Sequence, residues 1–353
     1  YSPPSGHLAL CSANLSNDDY ATIGPNSASQ ADDHFNSVLY TGDASTRSIT
    51  GVGFQPDWVW FKPRSDTDNH VLIDSSRGGT KYLMSNRSDA EITQDPGITA
   101  FGTDGFSIGN WTNINENTQT YVAWNWKANA GTTSSDGNGS ITSTVQANTT
   151  AGFSIALYTS NNTAGATVGH GLGATPNLII TKNREDDRNW GFFHHKLASD
   201  PETDGLYLNL NNAVADNVAF WNDTAPTSTV FSIGTGAGET NFPASDGFIA
   251  YCLTEIEGYS KFGRYHGNGD NDGTFVYTGF TPAWVMIKNT ARGADWRIND
   301  IVRQPINDDG GHVLLANQNS TEVTNEYDID FLSHGFKLKS SDVYENGLSL
   351  IHI

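Results

Sequence analysis

The chain has 353 residues, enough for two or three domains, with hydrophobic residues at 37%, aromatics at 11% and charged residues at only 16%. Lys and Arg number 19 against 39 Asp and Glu, a net charge of -20 that lacks the basic footprint nucleic-acid binding needs and reads as solubility in a salty medium. No stretch approaches the ~18 apolar residues of a membrane span, Cys11 and Cys252 are too few for a disulfide scaffold, and nine Trp exclude a disordered chain.

Residues 1–34 carry no repeat pattern and read as the end of a preceding domain followed by a spacer. The sequence opens on Tyr1 rather than Met and shows no signal peptide, the expectation for a fragment. From residue 35 onward an internal repeat organises the chain. The run Gly53-Phe54-Gln55-Pro56-Asp57-Trp58-Val59-Trp60-Phe61-Lys62 returns as Gly173-Ala174-Thr175-Pro176-Asn177-Leu178-Ile179-Ile180-Thr181-Lys182. It returns again as Gly279-Phe280-Thr281-Pro282-Ala283-Trp284-Val285-Met286-Ile287-Lys288. Pro fixes φ and cannot donate to a ladder, so it belongs at a strand's start. The apolar run after it predicts a strand buried on both faces, and the Lys marks its return to solvent.

The copies stay in step downstream. Asp74, His194 and Asp300 share one column, and Asp74/Arg77 and Asp300/Arg303 are expected to form local ion pairs worth at most ~1 kcal/mol if exposed. Tyr82–Asn86, Tyr207–Asn211 and Val313–Asn317 align next. A later strand reads Gly105–Ile108, Val230–Ile233 and Gly335–Leu338, and a closing strand reads Thr120–Trp124 and Gly247–Tyr251. Short strands separated by Gly, Asn, Asp and Ser turns predict an all-β chain of tandem antiparallel β-sandwich repeats of jelly-roll or concanavalin-like type. Helix is confined to single turns at Asn299–Arg303 and His195–Ala198. The expected boundaries are 35–127 for repeat 1, 128–139 for a polar linker, 140–257 for repeat 2 and 258–347 for a truncated repeat 3. Residues 348–353, Leu-Ser-Leu-Ile-His-Ile, look like translated sequencing-library adapter, which would leave repeat 3 without its closing strand.

Several segments resemble the repeat-bearing virion proteins of tailed, mainly marine, bacteriophages: Tyr1–Gly6, Leu10–Leu15, Val168–Gly173 and Glu257–Gly263. The first two look like the exit from a SPRY- or concanavalin-like domain. The resemblance implies a tail fibre or other exposed appendage and brings no catalytic residues.

The chemical motifs yield to simpler readings. Gly105-Phe106-Ser107-Ile108-Gly109 fits a nucleophile elbow, yet it falls inside a repeated strand whose sister copies carry Ser232 and Lys337 in place of the serine. Gly169–Gly173 and Gly234–Gly238 lack the helix a phosphate cradle requires. Asn268, Asp270 and Asp272 have the alternating oxygens of a calcium loop, but Gly279 stands where the bidentate acid should be, so they are weak metal candidates. His194-His195 has no third ligand at metal spacing. Trp111, Trp190, Trp221 and Trp296 fall outside the shared apolar columns or near loops, and are the candidate glycan contacts. The expectation is therefore a non-enzymatic virion protein without cofactors. It would act as a spacer and as a host-receptor or glycan-binding surface, alongside other virion proteins and possibly as a homotrimer. The alternative is a secreted, extracellular bacterial adhesin or carbohydrate-binding module.

Overall fold

Gly53, Gly173 and Gly279 all have positive φ (+86°, +70° and +92°), so the repeated glycine is the residue that lets each copy turn sharply into its central strand. In the computed structural model, which describes residues 23–24, 27–236, 238–304, 311–325, 329–347 and 349–353, that turn opens the same architecture three times.

Unit 1 contains β1 (Phe35–Thr41), β2 (Arg47–Thr50), β3 (Trp58–Pro63), β4 (Val71–Asp74), β5 (Lys81–Leu83), β6 (Ile92–Thr93), β7 (Ile98–Gly102), β8 (Gly105–Ile108), the short helix α1 (Thr112–Asn115) and β9 (Thr120–Trp126). Unit 2 contains β10 (Ser134–Asp136), β11 (Ser143–Asn148), β12 (Phe153–Thr159), β13 (Ala166–Gly169), β14 (Leu178–Asn183), β15 (Gly191–His194), β16 (Asp204–Tyr207), β17 (Ala215–Asp216), α2 (Val218–Trp221), β18 (Val230–Ile233) and β19 (Gly247–Leu253). Unit 3 contains β20 (Gly263–Tyr265), β21 (Phe275–Tyr277), β22 (Trp284–Asn289), β23 (Arg297–Asp300), β24 (His312–Leu315), β25 (Val323–Thr324), β26 (Ile329–Leu332), β27 (Gly335–Leu338) and β28 (Leu350–His352).

The large sheets run β1-β9-β3-β4-β5-β6, β12-β19-β14-β15-β16-β17 (extended at its edge by β11 and β10) and β20-β28-β22-β23-β24-β25. The small sheets are β2-β8-β7, β13-β18 and β21-β27-β26. Among the described residues every strand ladder is antiparallel, with one isolated parallel bridge between Ile141 and Val168, so the expected all-β sandwich is the observed class. Each sandwich encloses its own core, with Val59, Phe61 and Phe106 in unit 1, Ile179, Phe193 and Phe231 in unit 2, and Val285, Ile287 and Phe336 in unit 3.

The central strand is buried on its other face too, because the outer faces of the three large sheets pack on one another. The same four register positions recur in that shared core: Trp60, Ile180 and Met286; Leu72, Phe192 and Ile298; Leu83, Leu206 and Leu314; Val122, Ile249 and Ile351. Burial on both faces explains why these strands read as nearly unbroken apolar runs. The three units therefore form one body around a common axis rather than beads on a string.

Several expectations change. The repeated Lys does not return to solvent: Lys62, Lys182 and Lys288 are fully buried. Structural register sets Asn209 beside Asn86 and Asn317, because Asn86, Asn209 and Asn317 accept from the backbone N–H groups of His70, Trp190 and Trp296; the Tyr207–Asn211 alignment was out by two residues. The expected linker 128–139 contains β10 and begins with a clamp. Asp57 accepts from the N–H groups of Ala128, Ala130 and Gly131 at 2.7–2.9 Å, and Asn177 does the same for Glu255 at the next junction. Among the described residues helix occurs as α1 before β9, α2 before β18 and two 3-10 turns at Ala31–Asp33 and Pro201–Thr203, while His195–Ala198 is a turn and Asn299–Arg303 a strand end and turn. Unit 3 does not lack its closing strand: Leu350–His352 lie between β20 and β22. The first two segments that carry the phage resemblance, and Cys11, fall outside the described residues. Cys252 is a fully buried core residue.

Candidate functional site

The charged and polar columns of the repeat converge where one unit meets the next. Nδ1 of His70 accepts from the Trp60 indole, so Nε2–H donates to the Leu315 carbonyl of unit 3 at 2.9 Å. At the equivalent position Trp190 donates to the Met84 carbonyl of unit 1 at 2.9 Å, and Trp296 donates to the Tyr207 carbonyl of unit 2 at 3.0 Å. Backbone contacts repeat the pattern: Glu91 N–H to Arg184 O, Val214 N–H to Thr290 O and Glu322 N–H to Arg64 O, at 2.8–3.0 Å. Each unit gives one surface forward and receives another behind, and the third contact closes the ring. A head-to-tail contact that closes after three steps is the geometry of a trimer, here written in a single chain.

The buried charges are part of the same joints. Arg77 binds Asp74 at 2.5 Å and Glu91 at 3.1 Å, Arg184 of unit 2 reaches Glu91 at 2.8 Å, and the Tyr251 hydroxyl donates to Asp74 at 2.9 Å. The joint between units 3 and 1 repeats it, with Arg303 on Asp300 and Glu322, Arg64 on Glu322 and the Trp124 indole on Asp300. The local pairs Asp74/Arg77 and Asp300/Arg303 form as their spacing suggests, but buried within larger networks rather than exposed. Burial works against the Glu91 and Glu322 carboxylates, but the flanking arginines hold both below their usual pKa. The joint between units 2 and 3 replaces all four charges at once, with His194, Leu197, Val214 and Thr290 at the corresponding positions. His194 is fully buried and its pKa falls to about 3 through burial and the neighbouring His195. The buried lysines serve the joints as well: Lys182 donates to Asn183 O and to Ser88 O across the joint, and Lys288 to Asn289 O and Asn211 O. Burial lowers all three lysines to about 8.

The four tryptophans nominated as glycan contacts have other places. Trp190 and Trp296 are fully buried in the joints, Trp221 packs in the unit 2 core at 2% exposure, and Trp111 packs on Tyr82 in unit 1 at 9%. None presents an open ring face. The calcium candidates are also engaged: Asn268 accepts from Asn346 and from the Asp270 N–H, Asp270 accepts from the Asp272 N–H, and Asp272 pairs with Lys337. Among the described residues no cluster of His, Cys, Asp and Glu has metal-binding geometry. Ser107 bonds Ser48 across the small sheet of unit 1 at 2.9 Å, as a strand residue and not a nucleophile on an elbow. His195 is tied to Asn177 and to the Phe262 carbonyl.

An exposed aromatic surface lies elsewhere, in unit 3. Strand β21 directs Phe275 and Tyr277 outward at 47% and 65% exposure, with His334 stacked on Tyr277. Register with the neighbouring strand equates these positions to Ser48 and Thr50 in unit 1 and to Thr167 and Gly169 in unit 2. The aromatic pair is therefore peculiar to this copy. It borders a groove of ≈ 490 Å³ between units 2 and 3, whose rim carries Lys196, Lys261, Arg264, His195 and Glu255. Lys261 pairs with Glu255 at 2.9 Å, whereas Lys196 and Arg264 are exposed. In a chain with net charge -20, a rim with three cations and one carboxylate is a local reversal of sign. Alternation along Phe275-Val276-Tyr277, with Val276 buried between two exposed rings, was the sequence signal for this surface.

A domain of unknown function (DUF7483) matches residues 30–353, and the chain belongs to that family. The match spans all three units, so the family's domain is the whole closed body rather than one sandwich. No curated protein and no solved structure matches the chain.

Proposed function

We propose that this protein is a non-enzymatic structural and binding module of a phage virion appendage, holding a glycan-recognition surface on a rigid three-part body. The carrying observation is the aromatic pair Phe275 and Tyr277 beside a cationic rim, present in one of three otherwise equivalent sandwiches. Flat aromatic faces suit the apolar faces of sugar rings, and Lys196, Lys261 and Arg264 suit an acidic substituent, so the ligand class is an anionic surface polysaccharide. The closed ring supplies what a spacer needs: buried charge networks at two of its joints and apolar packing at the third resist bending, and surface loops vary without disturbing the cores. A secreted adhesin or carbohydrate-binding module would use the same surface, and the genes beside this one distinguish the two settings.

The test is a binding measurement with an acidic and a neutral polysaccharide on the wild type, Phe275→Ala, Tyr277→Ala and Lys196→Glu. Retention of the acidic polysaccharide, lost in each variant with the unfolding midpoint unchanged, is the expected result. Equal retention by all four proteins would remove the surface from the argument, and turnover of the polysaccharide would replace binding with catalysis.

A further inference from the structure

One side of the sandwich is closed differently in each unit. In unit 2, residues 140–148 run between the edge strand of the large sheet, β12, and that of the small sheet, β13. β11 pairs with β12 from Thr144↔Leu157 to Asn148↔Phe153, while the Ile141 N–H donates to the Thr167 carbonyl at 2.9 Å and the Ser143 hydroxyl to the Gly169 carbonyl at 2.7 Å. Unit 1 laces the same two strands with side chains: Asn36 of β1 donates to the Val52 carbonyl just beyond β2 at 3.2 Å, and Arg47 of β2 lies over the Tyr40 ring of β1.

In unit 3 this side is the groove of ≈ 490 Å³, walled by β20 and β21. The hydroxyls of Tyr40, Tyr158 and Tyr265 donate to the Ile114, Thr240 and Glu345 carbonyls, which sets Arg264 in the place of Leu157. Successive residues of a strand turn their N–H and C=O groups to opposite edges. The Thr254 N–H donates to the Gly152 carbonyl, so Leu157 turns its groups toward Thr144, and Arg264 turns its own away from β28 into the groove. Phe262, two residues earlier, has the same orientation: its N–H donates to Glu255 at 3.0 Å and its carbonyl accepts from His195 at 2.8 Å. On the opposite wall Phe275 and Tyr277 stand where Thr167 and Gly169 stand, so their carbonyls face the groove. Two strand edges thus face one another across a groove rimmed by Lys196, Lys261 and Arg264.

We propose that unit 3 holds an acceptor slot for an acidic, extended peptide of a partner protein, which adds as a strand between β20 and β21 where residues 140–144 lie in unit 2. The residue in the place of Thr144 exchanges ladder bonds with Arg264, and the one in the place of Ile141 donates to the Phe275 carbonyl. Ile141, Ser143 and Val145 are buried and Thr142 and Thr144 exposed, so the peptide carries small or apolar side chains at the first set of places and Asp or Glu at the second. The acids meet the cationic rim, and Glu255 and His195 close the far end of the slot at Phe262. The slot goes beyond the polysaccharide reading: it shares the cations of that surface but uses main-chain edges instead of ring faces.

The probe is a fluorescent peptide, Ser-Ile-Asp-Ser-Asp-Val-Gln-Ala, which copies residues 140–147 with Asp at the two exposed Thr places. Its anisotropy is measured with the full chain. Binding that weakens with added salt is expected. Methylating the amide nitrogen of the second Asp removes the donor to Arg264 and should weaken binding about tenfold. Methylating that of the Val, which points away from β20 as Val145 points to β10, should leave it unchanged. Arg264→Pro, which deletes one N–H at a strand edge where Pro is tolerated, should abolish binding, while Arg264→Gln keeps part of it. No binding by the wild type, equal effects of the two methylations, or full binding by Arg264→Pro would each overturn the slot. Acidic polysaccharide lost in Arg264→Pro with no peptide bound by the wild type would give the groove to the sugar. Phe275→Ala separates the two readings, since it should release the polysaccharide and keep the peptide.

Discussion

The joint between units 1 and 2 and the joint between units 2 and 3 are two solutions to one packing problem, and exchanging them is a direct test of the ring. Replacing Glu91 by Ala leaves Arg77, whose side chain is fully buried, with Asp74 as its one remaining carboxylate, and strips Arg184 of both its hydrogen bonds. Arg77 keeps Asp74, so the charge left without a partner is that of Arg184, 26% exposed, and the cost falls below the about 3–5 kcal/mol of breaking a fully buried pair from one side. The chain itself supplies the remedy. Asp74→His, Arg77→Leu, Glu91→Val and Arg184→Thr reproduce His194, Leu197, Val214 and Thr290, and Tyr251→Phe removes a hydroxyl that would lose its acceptor. Exchanging a buried ionic network for well-packed apolar groups of similar volume is often neutral or stabilising. The five-fold variant is therefore expected to recover most of the loss seen in Glu91→Ala, with the urea midpoint read from tryptophan fluorescence. A five-fold variant no more stable than the single one would refute the equivalence of the joints, and with it the cyclic arrangement.

Trp190→Phe keeps most of the packing and leaves the Met84 carbonyl with the Arg87 N–H alone; it should cost about 0.5–1.5 kcal/mol, and calorimetry showing no change would contradict the assignment of Trp190 as a connector. His194 carries a folded pKa of about 3 against an unfolded value near 6.5, so the unfolded state binds the extra proton, and stability present above pH 6.5 is lost as pH falls toward 3. His194→Leu should therefore gain on the wild type by about 1.4 kcal/mol per pH unit over that window, and a pH-independent difference would be inconsistent with a buried neutral imidazole. Asp57→Ala frees the Ala128 and Ala130 N–H groups and leaves Gly131 with Gln146 alone, and limited proteolysis should then cut within residues 128–133 faster than in the wild type. An unchanged cleavage rate would show that Asp57 does not hold that segment.

Legibility in the sequence followed the range of the interactions. The repeat, the antiparallel sandwich and the doubly buried central strand could be read because Pro, Gly and runs such as Trp58–Phe61 act on their own backbone. Even the concerted replacement of Asp74, Arg77, Glu91 and Arg184 by His194, Leu197, Val214 and Thr290 was present in the letters. It had no meaning there, since positions far apart in sequence had not yet been brought to one joint. The tryptophans misled for a related reason: in one unit Trp190 and Trp296 stand outside the shared columns of the sandwich, and only the neighbouring unit turns their outer position into an interior. Lys62, Lys182 and Lys288 looked like strand ends in water for want of the carbonyls that surround each ammonium.

The order of residues thus determined what each unit is, because turn chemistry and alternation are local. Tertiary structure alone decided that three units close into a ring, since that depends on which outer faces meet across the axis. It also decided which aromatics remain outside. Phe275 and Tyr277 stay exposed because they lie on the side of β21 opposite Val276, which faces the unit 3 core.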